Sequence, residues 1–328
     1  MRVTAAGSLP GDDFRGALGA VTEVLPDILP LPELPGRGVG SQMVGRTLGL
    51  IDGLGFDLQP AGWRLTTSSG SGADHRRARS QWRFDLDDAE ELLQGFGGVL
   101  KVAVAGPWTL AASVERPTGD RLLADHGARR EMAQALAHGV GSLFADLSRR
   151  LPETTLRLQV DEPLVVSVAE AQVPTASGFS RHRRVHAPEL SGALSPLIAI
   201  DRDAILHCCA DGAWLPLARS AGFASASLDL TLFETGRLRD VVGQWLADDL
   251  SMVLGVVDTA RHEVQSADDL VTRALGFLRP LGLDPEVLRD RVVLGTACGL
   301  AGWSLPDAMA QLEQLRRAGE LIDEQLER

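Results

Sequence analysis

Leu100-Lys-Val-Ala-Val-Ala-Gly-Pro-Trp-Thr-Leu110 begins as an apolar run, broken only by Lys101, and stops abruptly at Gly106-Pro107. A short continuous apolar run closed by turn residues is the pattern of a strand buried on both faces. Similar runs lie at residues 2–6, 63–67 (the weakest), 155–160, 204–207, 224–228, 252–257 and 292–296. Stretches with apolar residues at three-to-four spacing separate most of them, at 131–149, 238–247, 267–278 and 305–325. The last of these opens on Ser304-Leu-Pro-Asp307, a helix start with a capping hydroxyl and a proline in the first turn. Eight strands alternating with helices, and no Pro/Ser-rich linker between them, predict one α/β domain over residues 1–328, a (β/α)8 TIM barrel. Residues 68–81 and 167–188 read as long loops, with basic clusters at Arg76, Arg77, Arg79 and at Arg181, Arg183, Arg184. Those arginines are either solvated surface or contacts for an anionic substrate or cofactor tail.

The 328 residues are 45% apolar and 23% charged, as in an ordinary globular protein, with a formal net charge of -12. That acidity excludes a general nucleic-acid binder, because phosphate affinity needs clustered Lys and Arg, and it points to a small-molecule substrate. No apolar run reaches the roughly 20 residues needed to cross a bilayer, and Met1 leads into RVTAAGSLPG without a basic and apolar leader. A cytoplasmic protein is expected. Three cysteines, Cys208, Cys209 and Cys298, make no disulfide framework, which leaves buried thiols, thiol chemistry or metal binding.

In a barrel of this kind, functional side chains gather where strands end. The predicted strands end in Gly7-Ser8, Gly106-Pro107, Asp161-Glu162, His207-Cys208-Cys209, Asp229, Asp258 and Cys298-Gly299. Residues two apart on a strand share a face, so His207 and Cys209 can point at one ion while Cys208 turns away. Cysteine sulfur and histidine nitrogen are zinc's preferred donors, and Cys298, at another strand end, supplies a second sulfur.

Taken in order, GSLPG at 7–11, PELP at 32–35, GPWTL at 106–110, LQVDEP at 158–163, HCC at 207–209 and ACGL at 297–300 resemble the catalytic barrel of cobalamin-independent methionine synthases. The resemblance covers most of the chain and places it in the superfamily shared with uroporphyrinogen decarboxylases. It implies a zinc-dependent methyltransferase of methionine biosynthesis that methylates the thiol of homocysteine. His207, Cys209 and Cys298 match the family's zinc ligands. The family glutamate is replaced by Asp229, with Glu234 as the other candidate. Ser8 is implied to hold the substrate carboxylate, and Asp161 and Glu33 its ammonium group. Asp161, Asp258 and His262 are the implied catalytic residues, although the family's proton-donating histidine falls here on Ala260 and His262 lies two residues beyond.

Full-length members carry a second barrel that helps to bind methyl-folate, and this chain holds only one. With the histidine displaced as well, these departures from the family pattern fit a methylated corrinoid protein as donor, with methyl-folate as the other candidate. The alternative is a non-catalytic zinc-binding barrel with a binding or regulatory role. A decarboxylase-like barrel acting on a tetrapyrrole would need no metal.

Overall fold

The computed structural model describes residues 1–67, 70–210, 214–232 and 237–327. Its strands are β1 (Ile28–Pro30), β2 (Phe56–Gln59), β3 (Gly62–Leu65), β4 (Val99–Ala105), β5 (Thr155–Asp161), β6 (Ile205–Cys208), β7 (Ser225–Asp229), β8 (Ser251–Val257) and β9 (Val292–Thr296). Among the described residues, seven of them form one parallel sheet in the order β1-β4-β5-β6-β7-β8-β9. The amino-terminal segment joins the sheet's two edges. Thr4 N–H donates to Leu294 O at 2.9 Å and Leu294 N–H to Arg2 O at 3.0 Å, while Glu33 N–H donates to Gly7 O at 3.1 Å and Leu9 N–H to Glu33 O at 2.9 Å. The sheet is therefore curled into a barrel-like form.

Alternation along each strand sorts the side chains. Leu100, Val102, Leu158, Val160, Leu206, Leu228, Leu254 and Leu294 are buried in the main core, together with the apolar faces of the surrounding helices. Ile28, Ile205, Val253 and Val293, with Val99 packed against them, form a separate cluster on the opposite, inward parity. The helices behave as their spacing demands. Ser304 caps Leu305–Leu326 by accepting from Asp307 N–H, and Ser266 caps Ala267–Leu278 by accepting from Asp269 N–H. These two helices pack on each other beside β8 and β9.

Three sequence expectations change, the first being the run at 2–6, which joins the sheet only through the isolated bridge of Val3 with Leu294. The run at 63–67 is not a barrel strand, because Gly62–Leu65 pairs antiparallel with Phe56–Gln59 in a separate two-stranded ribbon. Its Asp57, Gln59 and Arg64 alternate with apolar residues, as suits a ribbon exposed on one side. The strand in that place is Ile28–Pro30, short and ended by a proline that cannot donate to a ladder. The loop expected at 68–81 is helical from Ala73, in Ala73–Leu92. Its buried residues, His75, Ala78, Trp82, Asp85, Leu86 and Ala89, keep helical spacing, but a histidine and an aspartate interrupt the stripe. Buried Asp85 is held by Arg37 through two hydrogen bonds of 2.7 and 2.6 Å.

The basic clusters are satisfied locally. Arg77 pairs with Asp74 at 2.9 Å, Arg79 with Asp52, and Arg181 donates to Gln172 O at 2.9 Å. Among the described residues, no helix is long and apolar enough to cross a membrane.

Candidate metal centre

His207 lies inside β6 and Cys209 just beyond its end, on the inward parity. Cys208 between them is fully buried in the helix-facing core, and desolvation pushes its thiol up to about 12. His207 is buried, and its Nδ1 sits 2.9 Å from Ser227 Oγ on the neighbouring β7. That contact orients the ring and leaves the other ring nitrogen to face the sulfurs. Cys298 follows β9, and the curl of the sheet returns it to β6, so that its Sγ lies 3.7 Å from Cys209 Sγ. One donor atom each from His207, Cys209 and Cys298 lies within 4.8 Å of the others. His207 is buried, Cys209 half-buried and Cys298 exposed, so the group opens toward solvent.

The two sulfurs are electrostatically unequal. The bond from Cys209, then that from His207, lowers the Cys298 thiol to about 4, and the same sulfur contact, followed by burial, raises Cys209 far above the usual thiol range. Two neighbouring thiols lose one proton easily and the second only at great cost. A divalent cation removes that conflict by holding both as thiolates. Two soft sulfurs and one imidazole that meet in this way fit zinc.

Asp229, at the end of β7, stands outside this three-donor group. Its Oδ1 accepts from Thr231 N–H at 2.8 Å and from Thr231 Oγ1 at 2.5 Å, and burial raises its pKa, with the Cys298 charge adding to the effect. Glu234 lies outside the described residues.

Beside the sulfurs is a buried polar cluster. Asp161 ends β5 in register with His207. Burial, above all, raises its pKa, and His207 opposes that rise. Glu33 is buried next to it and pushed up to about 7 by desolvation, against the opposing charge of Arg46, whose Nη1 lies 4.0 Å away. Ser8 forms an isolated bridge with Glu33, and its carbonyl accepts from Leu300 N–H at 2.8 Å. A Cβ on Gly299 would sit 2.6 Å from Ser8 Oγ, so glycine after Cys298 is what allows the two strand ends to approach.

Asp258 and His262 are placed on the rim. Asp258 Oδ2 accepts from Arg261 Nε at 2.9 Å. His262 is exposed, has a left-handed backbone with φ of 54°, and stacks on Trp303 with ring centroids 6.2 Å apart.

The GPWT and DEP segments meet for a structural reason. Glu162, fully buried, accepts from Trp108 N–H at 2.8 Å, Thr109 N–H at 2.8 Å and Thr109 Oγ1 at 2.7 Å, at the start of helix Pro107–Ser113. Desolvation still pushes its carboxyl up to about 7. A Cβ at Gly106 would lie 2.3 Å from the Glu162 carboxylate, so the strand-to-helix turn needs glycine.

In fold, the chain is similar to a methionine synthase. A B12-independent methionine synthase from Shewanella sp. W3-18-1, solved in complex with selenomethionine, aligns over 99% of this chain and 98% of its own, with a TM-score of 0.62 and 14% identity. At that identity the likeness establishes a shared fold. No family model and no curated protein matches the chain.

Residues that the sequence reading assigned no role in the site also belong to this cluster. Lys101 is fully buried on β4 and lowered to about 8 by desolvation, against the pull of Asp161 and Glu33. Gln159 lies between it and Asp161, and Arg46 stacks on Trp82 with 3.8 Å from its guanidinium carbon to the ring centroid. A lysine within an apolar strand was the available signal, since a charge buried on such a strand requires partners.

Proposed function

We propose that this protein is a zinc-dependent methyltransferase that methylates the sulfur of homocysteine to give methionine. The observation that carries the reading is the meeting of His207, Cys209 and Cys298 at strand ends, open to solvent through Cys298. The fold shared with a methionine synthase that was solved with selenomethionine supports it. In this reading the segment at 2–6 counts as the eighth strand, which closes the seven-stranded sheet into a (β/α)8 barrel of the superfamily that includes methionine synthases and uroporphyrinogen decarboxylases.

Zinc held by these donors supplies Lewis acidity that favours the thiolate form of a substrate sulfur at neutral pH. His207 is oriented for ligation by Ser227, and Cys209 and Cys298 supply the anionic sulfurs. Asp229 would serve as the fourth protein donor by turning from Thr231 toward the ion, with Glu234 as the other candidate. Ser8 holds the substrate carboxylate, while Asp161 and Glu33 face its ammonium group. Asp258 and His262 stand at the rim from which the methyl donor enters.

The donor in this reading is a methylated corrinoid protein. Transfer from it leaves no folate nitrogen to protonate, which agrees with Ala260 at the position of the family histidine and with an exposed His262. The reading is tested by assaying transfer to homocysteine from methylcobalamin and from methyl-folate, with zinc content measured alongside. Transfer from methylcobalamin by a protein with one zinc per chain is expected. Faster transfer from methyl-folate overturns the donor, and full activity without zinc overturns the mechanism.

One observation favours the second reading, a non-catalytic zinc barrel: Thr231 already engages the Asp229 carboxylate. Sulfur-edge or zinc-edge absorption with added homocysteine separates the two, because only the catalytic site gains a substrate sulfur as a ligand.

A further inference from the structure

One buried cation of the polar cluster, Lys101, has no role in the reading above. Lys101 Nζ donates to Ala6 O at 3.1 Å and to Gln159 Oε1. Gln159 Nε2 in turn donates to Ala6 O at 3.0 Å and to Asp161 Oδ1 at 2.8 Å. The three side chains form a line running up the interior from β4 to the end of β5.

Its direction follows from donor and acceptor chemistry. An ammonium group only donates, so the amide must turn its oxygen toward Lys101. The amide nitrogen then faces Ala6 O and Asp161 Oδ1, both acceptors. Flipping the amide would set its nitrogen against the ammonium and its oxygen against the carboxylate, two clashes in a site closed to water. Lys101 thus dictates which way Gln159 faces, and Gln159 holds one oxygen of Asp161.

Formal charge points the same way. Lys101 and Arg46 oppose Glu33 and Asp161 within one buried cluster, so the cluster stays neutral overall when a zwitterionic amino-acid head enters. A thiol with a carboxylate but no amino group would add an uncompensated negative charge there.

We propose that Lys101 is a positioning residue: acting through Gln159, it holds the Asp161 carboxylate beside the His207, Cys209 and Cys298 group as the acceptor for a substrate α-ammonium group, and so gives the site its preference for amino-acid thiols over amino-free thiols. This inference rests on the thiol-methylating reading and goes beyond it in naming how the substrate class is selected. Lys101 also supports Ala6, so the test must separate selection from scaffolding.

Zinc-loaded protein is titrated calorimetrically with homocysteine and with 4-mercaptobutanoate, which keeps the thiol and carboxylate and lacks the amino group. The unsubstituted chain is compared with Lys101→Met and Gln159→Leu. Gln159→Leu breaks the line to Asp161 but leaves Lys101 bonded to Ala6, so it decides the matter alone if Lys101→Met fails to fold. The unsubstituted chain is expected to prefer homocysteine by about tenfold or more, the scale of one charge-assisted hydrogen bond. In the variants that preference should fall about tenfold, through weaker homocysteine binding only, with unchanged zinc content. Equal weakening of both ligands, or an undiminished preference in Gln159→Leu, overturns the proposal. Tight binding of both thiols without preference by the unsubstituted chain overturns it while leaving the thiol-methylating reading intact. Failure of the unsubstituted, zinc-loaded chain to bind either thiol sinks both.

Discussion

The two ends of the sheet interior are built from the same strands and obey opposite rules. Toward the amino-terminal ends, Ile28, Val99, Ile205, Val253 and Val293 pack together, and Arg157 and Asp203, which line the same cavity, pair with each other at 3.1 Å. Toward the carboxyl-terminal ends, Glu33, Asp161 and His207 are buried instead, with Lys101 reaching up toward them from the third residue of β4, and desolvation displaces Glu33 upward to about 7 and Lys101 downward to about 8. Burying branched aliphatics stabilises the fold by about 25 cal/mol per Å² of apolar surface. Burying these ionisable groups works against it, which is the mark of positions kept for chemistry rather than stability.

Substitutions at the two ends should therefore fail differently. The largest effect is expected at the polar end. Cys298→Ser should weaken zinc binding by about hundredfold or more and abolish thiol methylation while the protein stays folded, as read by metal titration and circular dichroism. Undiminished tight binding would remove Cys298 from the ligand set. Next comes the polar group that serves the fold. Glu162→Ala leaves three donors at the start of Pro107–Ser113 unpaired and should cost ~3 kcal/mol in urea unfolding, far more than an exposed acid would.

The third effect is a pH dependence. An unfolded chain loses the Glu162 proton near 4.5, whereas the folded one keeps it to about 7. Between those values the folded state binds more protons, so stability should fall as pH rises through that window and level off above it. The slope cannot exceed ~1.4 kcal/mol per pH unit for one group. Glu33, raised in the same direction, adds its own share. Glu162→Gln should flatten the profile, and an unchanged profile would show that this carboxyl is not the source.

At the apolar end, Ile205→Val should cost about 1 kcal/mol of stability with zinc content and turnover unchanged. Lost activity there would show that the two ends are not independent. The smallest effect is expected at the rim: His262→Ala should alter turnover from a methyl-corrinoid by about twofold or less, the scale of an exposed side chain. A large loss would return His262 to the chemistry and favour a donor that needs a proton.

Much of the scaffold was legible because burial on both faces leaves a local trace. Most of the runs that became β4 to β9 are short and largely apolar, although Arg157 and Gln159 alternate with apolar residues in β5, and the helices Ala267–Leu278 and Leu305–Leu326 carry both a capping serine and a three-to-four stripe. Where the local trace was weak, the reading went astray. Ile28–Pro30 is crowded by prolines, and Ala73–Leu92 buries a histidine and an aspartate whose partners lie far away in sequence. The segment at 2–6 joins the sheet through an isolated bridge, because near Ala6 side chains replace the ladder: Lys101 and Gln159 donate to its carbonyl, and its N–H donates to Thr296 Oγ1 at 2.9 Å.

The candidate site divides in the same way. Parity along one strand was enough to place His207 and Cys209 on one face and to turn Cys208 into the core, since a two-residue period is a property of the backbone. That Cys298, 89 residues from Cys209, comes within 3.7 Å of it was decided only by the curl of the sheet. The same holds for the line from Lys101 through Gln159 to Asp161, because a buried charge finds its partners in space, and local sequence carries no record of which strands will bring them.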